Sequence, residues 1–280
     1  MTPRARCGII ADMKDATNDT DAGFEFDVLF CGTGAADHDW ARYGARGVRG
    51  SCTTLLNGRV LLDCGTTGFR SLVRFGGDPR RLRELWFTHS HSDHCAPGEI
   101  AALLEARRGL APLRIRGSAP LLARLGEALA PLRGRFVPVP CAPGEPFRAQ
   151  GWRVTPLLAN HLTGLPGETP LHYLVAGRRR TLLYALDGAW MTAAARRAIG
   201  SARIDLAVWD ATVEQPGDWR IFEHNDVSMV RTIAGELRRQ GVLRPGAVLV
   251  LDHLARTLWR TPIRAPKPFR VARDGLRLRV

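Results

Sequence analysis

Lysine is almost missing from this chain: Lys14 and Lys267 are the only two among forty basic residues, and the rest are arginine. The net charge of +13 is therefore carried by guanidinium groups. Such a skew fits either a G+C-rich genome or a basic face that draws in an anionic substrate. A basic field does not separate a small phosphate ester from nucleic acid. Also missing is an apolar run of membrane-spanning length, so no membrane partner is expected. The six cysteines, at 7, 31, 52, 64, 95 and 141, never form a C-x-x-C pair. That argues against a disulfide framework or a structural zinc knuckle. Cys64 and Cys95 read as packed thiols. The opening residues lack a secretory core, because Cys7–Ala11 is too short an apolar patch, and a cytoplasmic address is expected. No linker, low-complexity stretch or second domain interrupts the chain. Residues 1–23 read as a polar, mobile lead-in and 24–280 as one unit.

What is present is an ordinary globular composition, 45% hydrophobic and 24% charged, with strands and helices alternating. Phe24–Cys31 reads as a first strand, closed by Gly32-Thr33-Gly34. A long irregular loop, Ala35–Gly50, follows. It carries His38 and Arg42 and is placed to line a substrate mouth, although His38 could equally be a merely exposed residue. Ser51–Leu56 and Arg59–Asp63 form a hairpin around Asn57-Gly58, the pair that a type I′ turn requires. Helices are expected over Thr66–Phe75, from Pro97 to about Arg108, and over Ser118–Leu129. Strands are expected at Arg83–Thr88 and Leu113–Arg116. The second half gives strands Trp152–Leu158, Leu171–Ala176, Thr181–Leu186, Ile204–Trp209 and Ala247–Leu251. Helices lie between them at Ala189–Ile199 and Asn225–Gln240, the latter amphipathic. A hairpin over Phe269–Val280, turning at Asp274-Gly275, ends the chain.

The chain is organised around Phe87-Thr88-His89-Ser90-His91-Ser92-Asp93-His94, which places three imidazoles and a carboxylate within six residues. Side chains two apart on an extended segment share a face, so His89 and His91 point together, with Asp93 and His94 reaching a second point. These ligand types suit zinc, manganese or iron, and the spacing suggests two neighbouring metals. A histidine-rich polar loop is the bland alternative, set aside because four ligand-type residues directly follow an apolar strand. His161, Asp187 and His253 each stand at a strand end, where three ligands could converge on the same sheet edge. His172, inside a strand, reads as a satisfied structural residue.

This pattern resembles the metallo-β-lactamase superfamily from about Phe26 to Val280. The resemblance implies an α/β fold, a four-layer αββα sandwich with metals at one edge of two sheets. It also implies that His89, His91 and His161 hold one metal, that Asp93, His94 and His253 hold a second, and that Asp187 bridges them. Two divalent ions, zinc by expectation with manganese or iron as alternatives, would then carry a hydroxide between them, and Asp93 would orient or deprotonate it. Asp63 corresponds to a carboxylate that fixes a ligand imidazole, or else is a plain turn residue.

Within the superfamily, the bridging aspartate and Asp93 are unlike a true β-lactamase. Leu158-Ala159-Asn160-His161-Leu162 lacks the Pro-Gly-His of many lactonases and resembles the phosphodiesterase branch of RNase Z and the cyclic-phosphate phosphodiesterases. Phe222-Glu223-His224-Asn225 adds to this, since a histidine ahead of the corresponding helix contacts the scissile phosphate there. The resemblance gives His224 that role, aided by the helix N-terminus; the alternative is a solvated residue at a helix start. Departures are clear: there is no tRNA-gripping arm and no cysteine cluster in the early loop. The expected function is thus a dinuclear metal hydrolase of a phosphodiester or cyclic phosphate, with a small anionic ester as partner. A lactonase or thioesterase, a ribonuclease, or a non-enzymatic binding module on the same scaffold are the rivals. Oligomeric state is not legible.

Overall fold

A computed structural model describes residues 23–280, so the mobile lead-in expected over 1–23 lies, Gly23 apart, outside the described residues. The first sheet is built by β1 (Asp27–Gly32), β2 (Thr53–Leu56), β3 (Val60–Leu62), β4 (Glu84–Trp86), β5 (Leu113–Gly117) and β6 (Phe136–Pro140), with helices α1 (Gly68–Arg74), α2 (Pro97–Ala106) and α3 (Ala119–Ala128). The second sheet follows with β7 (Phe147–Ala149), β8 (Trp152–Leu158), β9 (Leu171–Ala176), β10 (Thr181–Ala185), β11 (Ile204–Asp210), β12 (Leu243–Asp252) and β13 (Arg270–Val271). Its helices are α4 (Ala193–Ile199) and α5 (Val227–Arg239), and β14 (Leu276–Arg279) closes the chain. Each sheet has seven strands, in the orders β14-β1-β2-β3-β4-β5-β6 and β13-β12-β11-β10-β9-β8-β7.

Period-two alternation builds the layers. Val28 and Phe30 of β1, with Leu182 and Tyr184 of β10, point into the core between the sheets. Leu29 and Leu61 point outward against Leu72 of α1 and Ile100 of α2. Leu183 and Ala207 point outward against Val230 and Ile233 of α5. Helix, sheet, sheet, helix is the expected four-layer αββα sandwich.

Local signals hold where the chemistry is strong. Asn57 (φ 49°) and Gly58 (φ 64°) make the β2–β3 turn, and Ser118 caps α3 by accepting the Leu121 N–H. Three expectations are corrected. Helix α4 starts at Ala193, not Ala189, because the Thr192 hydroxyl caps it at the Ala195 N–H. β6, rich in proline (Phe136-Val137-Pro138-Val139-Pro140), is an unexpected strand, tolerated because it is the sheet's edge, where missing N–H groups cost nothing. The C-terminal hairpin does not form. β13 joins β12 in the second sheet, whereas β14 joins β1 in the first. Between them, Asp274 accepts from Thr33 Oγ1 at 2.7 Å and the Gly50 N–H at 2.6 Å, so two open sheet edges outcompete local pairing.

The topology also aims the site. β3 and β4 are parallel, as are β10, β11 and β12, and β8 runs in the direction of β10. Their C-terminal ends therefore open onto one edge. Three residues there, Asp63 (φ 58°), Asp187 (φ 34°) and His253 (φ 59°), take left-handed backbone that turns the chain sharply as it leaves the strand. Such conformations cost on the order of 1–3 kcal/mol each and persist where surrounding structure enforces them. Gly65 is another fixed point: a Cβ there would lie 1.9 Å from the Asp93 carbonyl oxygen. Gly65→Ala is expected to destabilise the protein by about 1–3 kcal/mol and to displace Asp93. A thermal melt superimposable on the parent's would refute this.

Candidate metal centre

Four of the seven expected ligand side chains come from the loop after β4, one each from the ends of β8, β10 and β12. The structure brings all seven together. Ligand atoms of His89, His91, His161 and Asp187 lie within 4.8 Å of one another, and so do those of Asp93, His94, Asp187 and His253. Asp187 belongs to both groups. Its Oδ1 lies 3.0 Å from His94 Nε2 and 3.3 Å from His253 Nε2, and its Oδ2 lies 3.7 Å from His89 Nε2 and 3.8 Å from His161 Nε2. A tetrahedron with metal–ligand bonds of 2.0–2.1 Å has edges of about 3.3–3.4 Å, and these spacings bracket that edge.

Hydrogen bonds behind the rings orient them. Asp63 accepts from His94 Nδ1 at 2.9 Å and from the Thr88 N–H at 2.8 Å. Thr88 Oγ1 spends its hydrogen on Asp63 and stands 3.0 Å from His89 Nδ1, as acceptor. The Glu223 carbonyl accepts from His161 Nδ1 at 3.1 Å. Thr212 Oγ1 donates to Asp210 at 2.7 Å and so accepts from His253 Nδ1, also at 2.7 Å. Each of these four rings thus keeps a hydrogen on Nδ1 and offers Nε2 to the cluster. His89 Nε2 has no partner although it is buried, as expected of a nitrogen whose lone pair is meant for an ion. The donor set of imidazole nitrogens and carboxylate oxygens therefore fits a divalent metal. Cys52 lies within reach of His94 and His253, but burial raises its thiol well above the usual range and it stays neutral.

Charge accounts for the protons. Burial pushes His89 and His161 down, towards the neutral form that ligates. Burial opposes charge on His253 as well, yet Asp187, Asp210 and Asp93 outweigh it and push its pKa up to about 10. His94 is raised in the same way by Asp187, Asp93 and Asp63 against burial. A nitrogen must shed its proton before it can bind metal. The metal affinity of chelator-stripped protein should therefore rise with pH between about 6 and 9, roughly tenfold per unit for each proton displaced. Competition with a chromophoric chelator across that range reads the slope, and a flat response would contradict protonated rings.

A cavity of about 340 Å³ opens over the cluster, lined among others by Asp93, Asp187, His253, Arg220 and His224. His224 donates from Nδ1 to Asp210 Oδ2 at 2.8 Å, so its Nε2 side is free. Burial opposes charge on this ring but Asp210 outweighs it, and the pKa is raised. The helix N-terminus is not the source of that bias: α5 begins at Val227 and is closed by Asp226, which takes the Met229 N–H at 2.8 Å. Asp210 was not singled out in the sequence. It ends β11, and Asp187 stands two residues beyond β10, so the shared strand-end placement is the available signal. Arg220, held by Asp218 at 2.8 Å, and the hub residue Thr88 were also missed.

The long loop contributes Ala35, Ala36 and Asp37 to the cavity, and not the residues expected of it. His38 is buried, 3.2 Å from the Leu254 carbonyl, and pins the loop instead of facing substrate. Arg42 is exposed, outside the lining. His172 donates to the Asp187 carbonyl at 3.3 Å, a structural role that also steadies the turn carrying Asp187.

Fold and cluster together define a metal-binding αββα protein. Residues 58–249 match a Beta-lactamase superfamily domain, and the chain belongs to the metallo-β-lactamase superfamily, whose members include metal-dependent hydrolases. Ribonuclease Z of Bradyrhizobium sp. (strain ORS 278) is 30% identical over 148 residues, a stretch spanning 49% of this chain and 46% of that one. Among solved structures, a diphosphatase from the PhnP family aligns with a TM-score of 0.69 at 15% identity, covering 91% of this chain and 97% of that one. The short form of human tRNase Z aligns with a TM-score of 0.66 at 19% identity, covering 90% and 98%. The resemblance to the superfamily is borne out. No helix among the described residues is long and apolar enough to cross a membrane.

Proposed function

We propose that the protein is a dinuclear metal-dependent phosphodiesterase acting on a small diester or cyclic phosphate. The observation that carries this is the Asp210–His224 pair, which places an imidazole in the cavity lining beside two ligand groups that share Asp187, its Nδ1 3.9 Å from Asp187 Oδ2. When bound, two divalent ions would supply a nucleophile from water near neutral pH and neutralise charge on a phosphoryl oxygen. The chain's own residues do the rest. Asp93 and Asp187 would hold the ions, and Asp93 would orient the attacking water. His224, whose charged form Asp210 favours, lines the cavity and could donate a proton to the leaving oxygen of a bound diester. Arg220 offers a planar fork to a non-bridging oxygen.

The partial match to a ribonuclease favours a second reading, cleavage of RNA, supported by the net charge of +13. Turnover of bis(p-nitrophenyl) phosphate, a 2′,3′-cyclic nucleotide, a lactone, a thioester and a structured RNA by the metal-loaded protein separates these readings. Diester turnover with an inert lactone supports the proposal, whereas turnover confined to the lactone or thioester refutes it. Activity on RNA alone, steeply dependent on salt, selects the second reading.

A further inference from the structure

A larger cavity, about 590 Å³, lies at the opposite ends of the strands. Its walls come from turns of both sheets: Asn57-Gly58 with Arg59, Arg81 before β4, Gln150-Gly151 before β8, Arg178 and Arg179 before β10, and Arg277 of β14. Asp187 lies eight positions beyond Arg179, about 26 Å of extended chain, so this cavity is not part of the metal site.

Arginine is concentrated there beyond what composition explains. With 38 arginines in 280 residues, a thirteen-residue lining would hold about two by chance, and this one holds five. The two carboxylates in the lining are already engaged. Glu25 accepts the backbone N–H groups of Arg178, Arg179 and Arg180. Asp27 takes both arms of Arg277, at 2.6 Å each. Among the described residues, the guanidinium groups of Arg59, Arg81, Arg178 and Arg179 have no carboxylate partner. Four like charges converging on one concavity repel one another and focus a positive field within it. Guanidinium forks match phosphate oxygens bidentately, and the volume suits one small ligand and not a long strand.

We propose that this cavity is a second anion site that binds a small polyphosphate, inorganic or carried by a nucleotide, through Arg59, Arg81, Arg178 and Arg179. Calorimetric titration of the metal-loaded full chain with tripolyphosphate and with ATP tests it, with metal content measured before and after. One saturable equivalent should bind away from the metal site. Arg59→Ala combined with Arg179→Ala should weaken it at least tenfold, leaving diester turnover unchanged. Arg81 is exposed, so Arg81→Ala, with no packing at risk, should weaken it at least threefold. Tighter binding of ATP assigns a nucleotide ligand and equal binding assigns the phosphate chain alone; both support the site. Affinity equal in parent and variants, or no saturable binding of either probe, overturns it. So does RNA binding lost in the variants while tripolyphosphate binding is not.

Discussion

Asp187→Ala is expected to cost both metals. Its two carboxylate oxygens lie within 3.0–3.8 Å of four ligand nitrogens, two in each group, so the deletion removes a ligand from both. It also leaves His94 and His253 without the buried anion that contributes most to balancing their charge. Elemental analysis should show occupancy falling from about two ions per chain to less than one, and turnover should fall at least about a thousandfold. His253→Ala is the contrast. His253 belongs to the second group alone, so one ion should remain and His89, His91 and His161 should keep it. Should Asp187→Ala keep both ions, or should the two variants behave alike, the shared-carboxylate assignment fails.

His224→Ala should act on turnover and leave the metals in place. Charge grows on the leaving oxygen and the non-bridging oxygens in a phosphodiester transition state, and His224 lines the cavity without belonging to either ligand group around Asp187. A positioned acid of this kind contributes about 10²–10⁴-fold, so kcat for a diester should fall by about two orders of magnitude or more. A lactone demands less neutralisation on that side and should suffer less. Asp210→Asn adds a readout that a merely structural role would not move. Asp210 raises the imidazole pKa, so without it His224 surrenders its proton at lower pH. The alkaline limb of the pH–rate profile should therefore shift to lower pH. Loss of metal in His224→Ala, or a profile unmoved in Asp210→Asn, would remove the acid role.

The residues that were legible share one property, which is that their signal is local. His89, His91, Asp93 and His94 announce themselves within six positions, and Asn57-Gly58 specifies its own turn. Asp210 was not legible. Its significance lies in His224, fourteen residues on, and in Thr212, whose single hydrogen fixes the tautomer of His253. His38 misled because a histidine in a polar loop looks exposed, whereas packing against Leu254 buried it. The C-terminal segment misled for the complementary reason. Asp274-Gly275 is a sound turn pair, yet β1 and β12 each offered an unpaired edge.

By itself the sequence determined the ligand chemistry, the alternation of strands and helices, and the face each strand turns to the core. These follow from spacing along the backbone, with periods of two and 3.6 that need no distant partner. Tertiary structure alone decided that the ends of β4, β8, β10 and β12 share one edge, that Asp187 stands between two ligand groups, and that Asp210 favours the charged form of His224. It alone gathered arginines of four separate segments around one cavity. The reason is physical. Sheet order and register are set by which edges pair across long stretches of chain, and electrostatic coupling depends on distance through space, which residue numbers do not carry.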